Sequence, residues 1–336
     1  MTLDIFNPSI SKINKTIQGS RILVYGDHGL GKSWQMAKSS RPFFFLFEKS
    51  GLKGIDGIPY EVVTNWSQFL RLLNQFVRNE EKARSVYDTI VIDGVDVMTF
   101  FADKYLSNAY GVNRIKDGND GFGLWAEKTE ELFFAIDKLS SLDFTIIFIG
   151  NETTIETLNS AGEKIYKKDV NGDKRLIPWV KKVCEHVVYV KGNGTDENGN
   201  PIPSSAYLAD TDEFFARSRY TGTPAYIEEF SFENLEKAIV EGLEKEAERE
   251  GIELVSHEEY VESIRKEELV YEDLMKEIQE VGTRLVELGQ ADELTRISEK
   301  HLGINERVSE CVKGQEEVMS VILDEMIALL NEVEQE

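Results

Sequence analysis

Cysteine is nearly missing from this 336-residue chain, which has only Cys184 and Cys311, far apart and in no ligand spacing. That excludes a disulfide framework and a structural zinc site, and it fits a reducing compartment. The four histidines, His28, His186, His257 and His301, form no metal or catalytic-triad spacing. No apolar run approaches the ~20 residues of a membrane span. The opening MTLDIFNPSI puts Asp4 and Asn7 where a secretory signal has its apolar stretch. The expectation is a cytoplasmic protein without membrane contact. Positive charge is also scarce: 38 Lys and Arg against 61 Asp and Glu leave a net charge of -23. This excludes a nucleic-acid binder that uses its whole surface, though not a local basic groove.

The acid is concentrated at the rear. Residues 231–336 hold 30 acidic and 11 basic side chains, whereas residues 1–230 hold 31 and 27. With 41% hydrophobic residues the chain is globular, and at ~150 residues per domain its length suggests about two domains. The reading is an extension over 1–17, a core over 18–230, a linking helix over 231–251 and an acidic helical domain over 252–336.

Apolar runs at Arg21–Tyr25, Pro42–Phe47, Thr89–Ile92 and Phe144–Ile149 read as buried strands. Helical patterns separate them at Trp66–Val77, Val97–Tyr110 and Trp125–Ser140, the first with Asn65 as N-cap. Such alternation predicts an α/β fold with a mostly parallel sheet covered on both faces. After Pro178 the pattern changes. His186–Val190, a Gly/Asn-rich turn, Ala206–Asp210 and Phe214–Arg219 predict antiparallel strands. From Ser231 onward the chain reads as helix. Tyr271, Leu274, Ile278, Val281, Leu285 and Leu288 form an apolar seam that Gly289 could end, and Ser256 with Glu259 fits a capping box. A small helical bundle is expected there.

Between the first strand and the first helix stands Gly26-Asp27-His28-Gly29-Leu30-Gly31-Lys32-Ser33, which matches GxxxxGK[ST], the P-loop. Its glycines let backbone N–H groups wrap a phosphate. Lys32 adds a point charge for the β- and γ-phosphates, and the Ser33 hydroxyl is placed to ligate Mg²⁺. The strand Thr89–Ile92 runs into Asp93, the Walker B pattern of a second magnesium-side acid, with Asp96 as a rival. Hydrolysis further needs a group to orient or deprotonate water. Gly94 and Val95 follow Asp93, so the candidate is Glu48, at the end of the Pro42–Phe47 strand, where it would face the same crevice. Asn151 ends the next strand and is the candidate γ-phosphate sensor. ATP and Mg²⁺ are therefore the expected ligands.

This series of motifs resembles the RecA-like ATPase core. Within it, GDHGLGKS, FLFEKSGL, YDTIVIDGVD and the IGNE segment resemble the phage-encoded nucleotide-binding proteins that act as RecA-like single-strand annealing recombinases. The resemblance covers about residues 18–230 and leaves the helical rear unmatched. It implies that Glu48 is the catalytic glutamate, that Asn151 is the polar sensor, and that the Phe144–Ile149 strand lies between the P-loop and Walker B strands. Such proteins often end the sensor strand in His-Glu. This chain ends it in Gly-Asn-Glu, so Asn151 and Glu152 both stand as sensor candidates. Arg217-Ser218-Arg219 resembles the arginine-bearing strand of RecA-like hexameric motors. That implies a finger reaching a neighbour's γ-phosphate, hence a homo-oligomer, ring or filament.

One segment opposes the general charge. Between Ala161 and Lys182, Lys164, Lys167, Lys168, Lys174, Arg175, Lys181 and Lys182 face only Glu163, Asp169 and Asp173, with Tyr166 and Trp179 interleaved. Cations mixed with aromatic faces suit single-stranded DNA, and in the RecA-like layout the loop after the sensor strand holds it. The expected activity is Mg²⁺-dependent ATP hydrolysis in DNA recombination or annealing. The rival readings are a helicase or helicase-loader motor and a nucleotide-switched scaffold with little turnover. The acidic bundle would recruit a single-strand-binding protein or another recombination partner.

Overall fold

A computed structural model describes residues 8, 10–49, 51–264 and 269–335. Asp4 and Asn7 of the opening segment lie outside them. The chain divides into two compact units, one of residues 12–261 and one of residues 1–11 with 262–336. Among the described residues no helix is long and apolar enough to cross a membrane.

The larger unit runs β1 (Ile13–Asn14), β2 (Arg21–Gly26), α1 (Lys32–Met36), β3 (Pro42–Leu46), β4 (Tyr60–Val62), α2 (Trp66–Arg78), α3 (Glu80–Val86), β5 (Thr89–Asp93), α4 (Met98–Ala109) and α5 (Trp125–Ser140). It continues through β6 (Thr145–Leu158), β7 (Lys164–Val170), α6 (Ile177–Val183), β8 (His186–Lys191), β9 (Ser205–Tyr207), β10 (Tyr226–Ile227), α7 (Phe232–Glu250), β11 (Leu254–Val255) and α8 (His257–Ser263), whose last two residues fall beyond the unit's boundary. The main sheet has the order β10-β9-β8-β2-β6-β5-β3-β4. From β8 to β4 every neighbour is parallel, while β9 and β10 are antiparallel. β6 therefore lies between the P-loop strand and the Walker B strand, as expected.

The apolar strands alternate their burial between two faces with period two. Leu23, Tyr25, Phe45, Ile90, Ile92, Ile146 and Phe148 pack with α2, α4, α5 and α6. Ile22, Val24, Phe44, Val91, Ile147 and Val188 pack with α1 and α7. Helix α2 starts where the sequence places it, since the Asn65 side chain accepts the Gln68 N–H at 2.9 Å. The expected linking helix is instead a covering layer. Phe232, Leu235, Ala238 and Ile239 form one helical face of α7 and are buried on the sheet. The following β11 pairs with β1, so the core continues to residue 261. The capping box forms: Ser256 N–H reaches Glu259 Oε2 at 3.3 Å, and Glu259 N–H reaches Ser256 Oγ at 3.2 Å.

Two segments depart from expectation. The lysine-rich loop is a β-hairpin: β6 continues past the sheet to Leu158, and β7 returns antiparallel along it, Glu152 opposite Val170 and Leu158 opposite Lys164. Phe214–Arg219 forms no strand. Its Phe214 bridges β7 in parallel and its Arg217 bridges β8 antiparallel. Phe214 and Arg217 make only these isolated bridges, with no run of paired residues along either neighbour.

The smaller unit contains α9 (Tyr271–Glu287), α10 (Ala291–Leu302) and α11 (Glu316–Gln335). Ile278 and Leu285 of the predicted seam are buried with Met319, Ile322, Leu323 and Met326 of α11. Gly289, at φ +78°, ends α9 in a left-handed turn that few side chains adopt.

Candidate active site

Register brings the site together at the C-terminal ends of the parallel strands. Gly26 lies opposite Asn151 of β6 and Val190 of β8. Asp93 lies opposite Ile149 and Leu46, two residues before Glu48. The resulting cleft of about 310 Å³ is lined by residues 28–34, Glu48, Gly51, Lys53, Ile55, Asp93, Gly94 and Ile149–Asn151. It is the crevice position expected for an open α/β sheet.

The loop after β2 has the form of an anion cradle. Gly29 and Gly31 both sit at φ +77°, and a Cβ on Gly26 would collide with the Val190 carbonyl. Among the described residues the amides of Gly29 through Ser33 find no backbone acceptor, and His28 N–H meets the Asp27 side chain at 2.7 Å. Leu30 anchors the loop against Gly192, where a Cβ would meet its Cδ2 at 2.9 Å. The donors of Gly29–Ser33 are thus free to converge on phosphate oxygens.

Lys32 is buried. Its Nζ donates to the carbonyls of Gly26 at 2.9 Å and Asp27 at 2.6 Å, and to Asn151 Oδ1 at 3.4 Å. Burial lowers its pKa, opposed by the nearby charges of Asp93, Asp96, Asp27 and Glu48. Asn151 is the hub of the site: its Nδ2 also donates to Glu48 Oε1 at 3.2 Å and to Asp96 Oδ2 at 3.0 Å. Glu152, the other sensor candidate, points elsewhere. Its carboxylate takes Lys168 Nζ at 2.5 Å and the Tyr189 hydroxyl at 3.0 Å. Strand alternation explains the split, because consecutive side chains face opposite sides.

Asp93 fits the expected metal. It is buried, and its Oδ2 has no hydrogen-bond partner among the described residues. Burial, together with Glu48 and Asp96, pushes its pKa up to about 6, against the pull of Ser33 and Lys32. A buried carboxylate with an unsatisfied oxygen is costly unless a cation shares it. No cluster of three or more His, Cys, Asp or Glu forms a self-sufficient metal site among the described residues. Magnesium needs none, since it takes most of its oxygens from water and phosphates.

Two glycines that sequence reasoning passed over shape this corner. A Cβ on Gly51 would collide with Asp93 Oδ2, and one on Gly94 would come within 2.9 Å of Glu48 Cγ. Asp96, ranked below Asp93, belongs to the same network through Asn151. The sequence signal for Gly94 was its place directly after the Walker aspartate. Gly51 had none.

The remaining candidates lie elsewhere. Arg217 Nη2 donates to the carbonyls of Lys181 at 2.7 Å and Cys184 at 2.6 Å, which caps the end of α6. It is engaged in the fold and is not a free finger, whereas Arg219 is exposed and has no hydrogen bond or ion pair among the described residues. Both lie toward the opposite sheet edge. Arg217 bridges Val187, three residues and roughly 10 Å of strand before the cradle.

The basic segment is mostly paired. Lys164 meets Glu156 at 2.8 Å, Lys167 meets Asp210 at 2.7 Å, Lys168 meets Glu152, and Lys181 meets Asp169 at 2.7 Å. Arg175 lies 4.7 Å from the Trp125 ring, and Lys182 lies 4.5 Å from that of Trp179. Lys174 is exposed, and Tyr166 at the hairpin is 72% exposed.

The family profile described as AAA domain (AAA_24) matches residues 18–220. The SPbeta prophage-derived uncharacterized protein YorG of Bacillus subtilis (strain 168) is 42% identical over 332 residues, covering 99% of this chain and 100% of that protein. Among solved structures, the KaiC-like protein PH0186 from the archaeon Pyrococcus horikoshii OT3 is 14% identical. It covers 56% of this chain and 78% of its own, with a TM-score of 0.29. The profile match over the P-loop, Walker B and sensor strands, and the full-length relative, lead to one conclusion: this chain belongs to the AAA domain family of P-loop proteins.

Proposed function

We propose that the protein is a Mg²⁺-dependent ATP hydrolase of RecA-like type that acts on single-stranded DNA in phage recombination or annealing. The observation that carries the hydrolase reading is the Asn151 side chain, which connects Lys32 to Glu48 and Asp96. One amide thus joins the group that holds a terminal phosphate to the group that orients water. In this reading the cradle amides and Lys32 bind the triphosphate, and Ser33 and Asp93 hold Mg²⁺, which supplies charge neutralisation. Glu48 accepts the proton of the attacking water. Asn151 holds Glu48 in place and registers whether the γ-phosphate is present.

Arg219 supports an oligomer. It lies away from its own cradle and is exposed, so as a finger it serves a neighbouring copy. For DNA the support is Lys174, Lys182 and Tyr166 on and beside the β6–β7 hairpin. The pairing of Lys164, Lys167, Lys168 and Lys181 favours a second reading, a nucleotide-switched scaffold in which these lysines fix the hairpin's shape. The test is the ATPase rate against single-stranded DNA concentration at two salt levels. Stimulation that fades with salt supports the DNA-dependent hydrolase. A rate near zero with and without DNA supports the scaffold.

A further inference from the structure

The chain's four tryptophans are not equivalent. Trp66 packs on Phe69 with ring centroids 5.1 Å apart and donates to Glu131 at 2.6 Å. Trp125 carries the Arg175 guanidinium at 4.7 Å, and Trp179 packs on Phe133 at 4.7 Å. Trp34 has no ring, cation or hydrogen-bond partner among the described residues. It is 50% exposed, and it lines the same cleft as the phosphate cradle, Asp93 and Glu48. It is the third residue of α1 and stands two residues after Lys32.

A lone exposed aromatic ring is ordinary on a protein surface. Here the ring stands in the wall of a cleft whose other lining groups are mostly glycine, charged or amide, with Ile55 and Leu30 among the few apolar ones. Phosphate groups are satisfied by the amides and Lys32. The part of a nucleotide that an indole face suits is the base, because flat π-systems stack and exclude water over a large area.

We propose that Trp34 is the base-stacking residue of this site, and that the site takes a purine nucleoside triphosphate. The inference rests on the nucleotide-binding reading above and adds to it the residue that recognises the base. A purine covers more of the bicyclic indole than a pyrimidine does, so stacking favours ATP or GTP over CTP. The phosphates are held independently, so the base contact and the cradle are separable by experiment.

Calorimetric titration of the full-length protein with Mg²⁺ and three probes, ATP, CTP and inorganic tripolyphosphate, makes the separation. The wild type should bind ATP more tightly than tripolyphosphate. Trp34→Ala should weaken ATP roughly 5- to 100-fold, abolish the preference for ATP over CTP and leave tripolyphosphate within twofold. Trp34→Phe should retain most of the ATP affinity, and circular dichroism on both variants checks the fold. ATP, and not tripolyphosphate, should quench the fluorescence that Trp34→Phe removes. Unchanged ATP affinity in Trp34→Ala overturns the proposal, as does equal weakening of ATP and tripolyphosphate. A wild type that binds tripolyphosphate as tightly as ATP overturns the base site and leaves the cradle standing. A wild type that binds neither overturns both.

Discussion

Strand β6 carries lysine partners at two places, and the two groups of lysines behave differently. Where β6 leaves the sheet, Lys32 approaches Asn151 at 3.4 Å and otherwise holds only the carbonyls of Gly26 and Asp27. Burial lowers its pKa, and the carboxylates of Asp93, Asp96 and Glu48 oppose that from a distance. Farther along, on the hairpin, Lys164 and Lys168 each meet a β6 carboxylate directly. A cation held by neutral dipoles can turn to an incoming phosphate without breaking an ion pair. A cation already paired must give up that contact first. The cradle is therefore poised for an anion, while Lys164 and Lys168 of the hairpin already hold one.

The largest effect that sharpens this contrast is on Lys32. Lys32→Ala should abolish measurable nucleotide binding, a loss of more than about 100-fold, consistent with losing a charge-assisted contact in a buried site. Equilibrium titration with ATP checks it, and retained affinity would break the distinction. Asn151→Ala should come next. Binding should fall only a few-fold, while turnover falls roughly 10- to 100-fold, because Glu48 loses the amide that positions it. Steady-state kinetics separate the two.

Stability gives an intermediate test of where the core ends. Ile239→Ala in α7 should cost about 2–4 kcal/mol of the larger unit's stability, read by urea denaturation. A loss near zero would return α7 to the role of a linker. On the hairpin the effects should be smallest. Lys168→Ala should change single-stranded DNA affinity less than about threefold, since its ammonium is already paired with Glu152, whereas Lys174→Ala, at an exposed position, should weaken it more. Filter binding at low salt tests the order, and the reverse order would make the paired lysines the DNA contacts.

Much of this arrangement is legible in the sequence because strong local patterns agree with the tertiary ones. RILVY, PFFFLF, TIVID and FTIIFIG have continuous apolar middles because each is covered on both faces, and GxxxxGKS marks a backbone turn suited to an anion. The misses have the converse cause. The outer half of β6, Glu152–Leu158, and the returning β7 carry polar residues at most positions because they extend beyond the parallel sheet, paired mainly with each other, and are partly open to solvent. No apolar run marks them. Helix α7 is rich in glutamate, which hid the stripe of Phe232, Leu235, Ala238 and Ile239 that covers the sheet. Arg217 matched a finger by sequence context, yet its guanidinium closes the end of α6, and only coordinates show which carbonyls lie within reach. The choice between Asn151 and Glu152 turns on register and strand alternation. Both follow once Gly26 is seen opposite Asn151.

The central claim is that Glu48, held by Asn151 beside the cradle, prepares water to attack a bound triphosphate. Glu48→Gln keeps the shape and removes the base, so ATP affinity and ATP turnover measured side by side on this variant test the claim most directly. The account predicts affinity within a few-fold of wild type and turnover reduced roughly 100-fold or more. Turnover at the wild-type rate would contradict it.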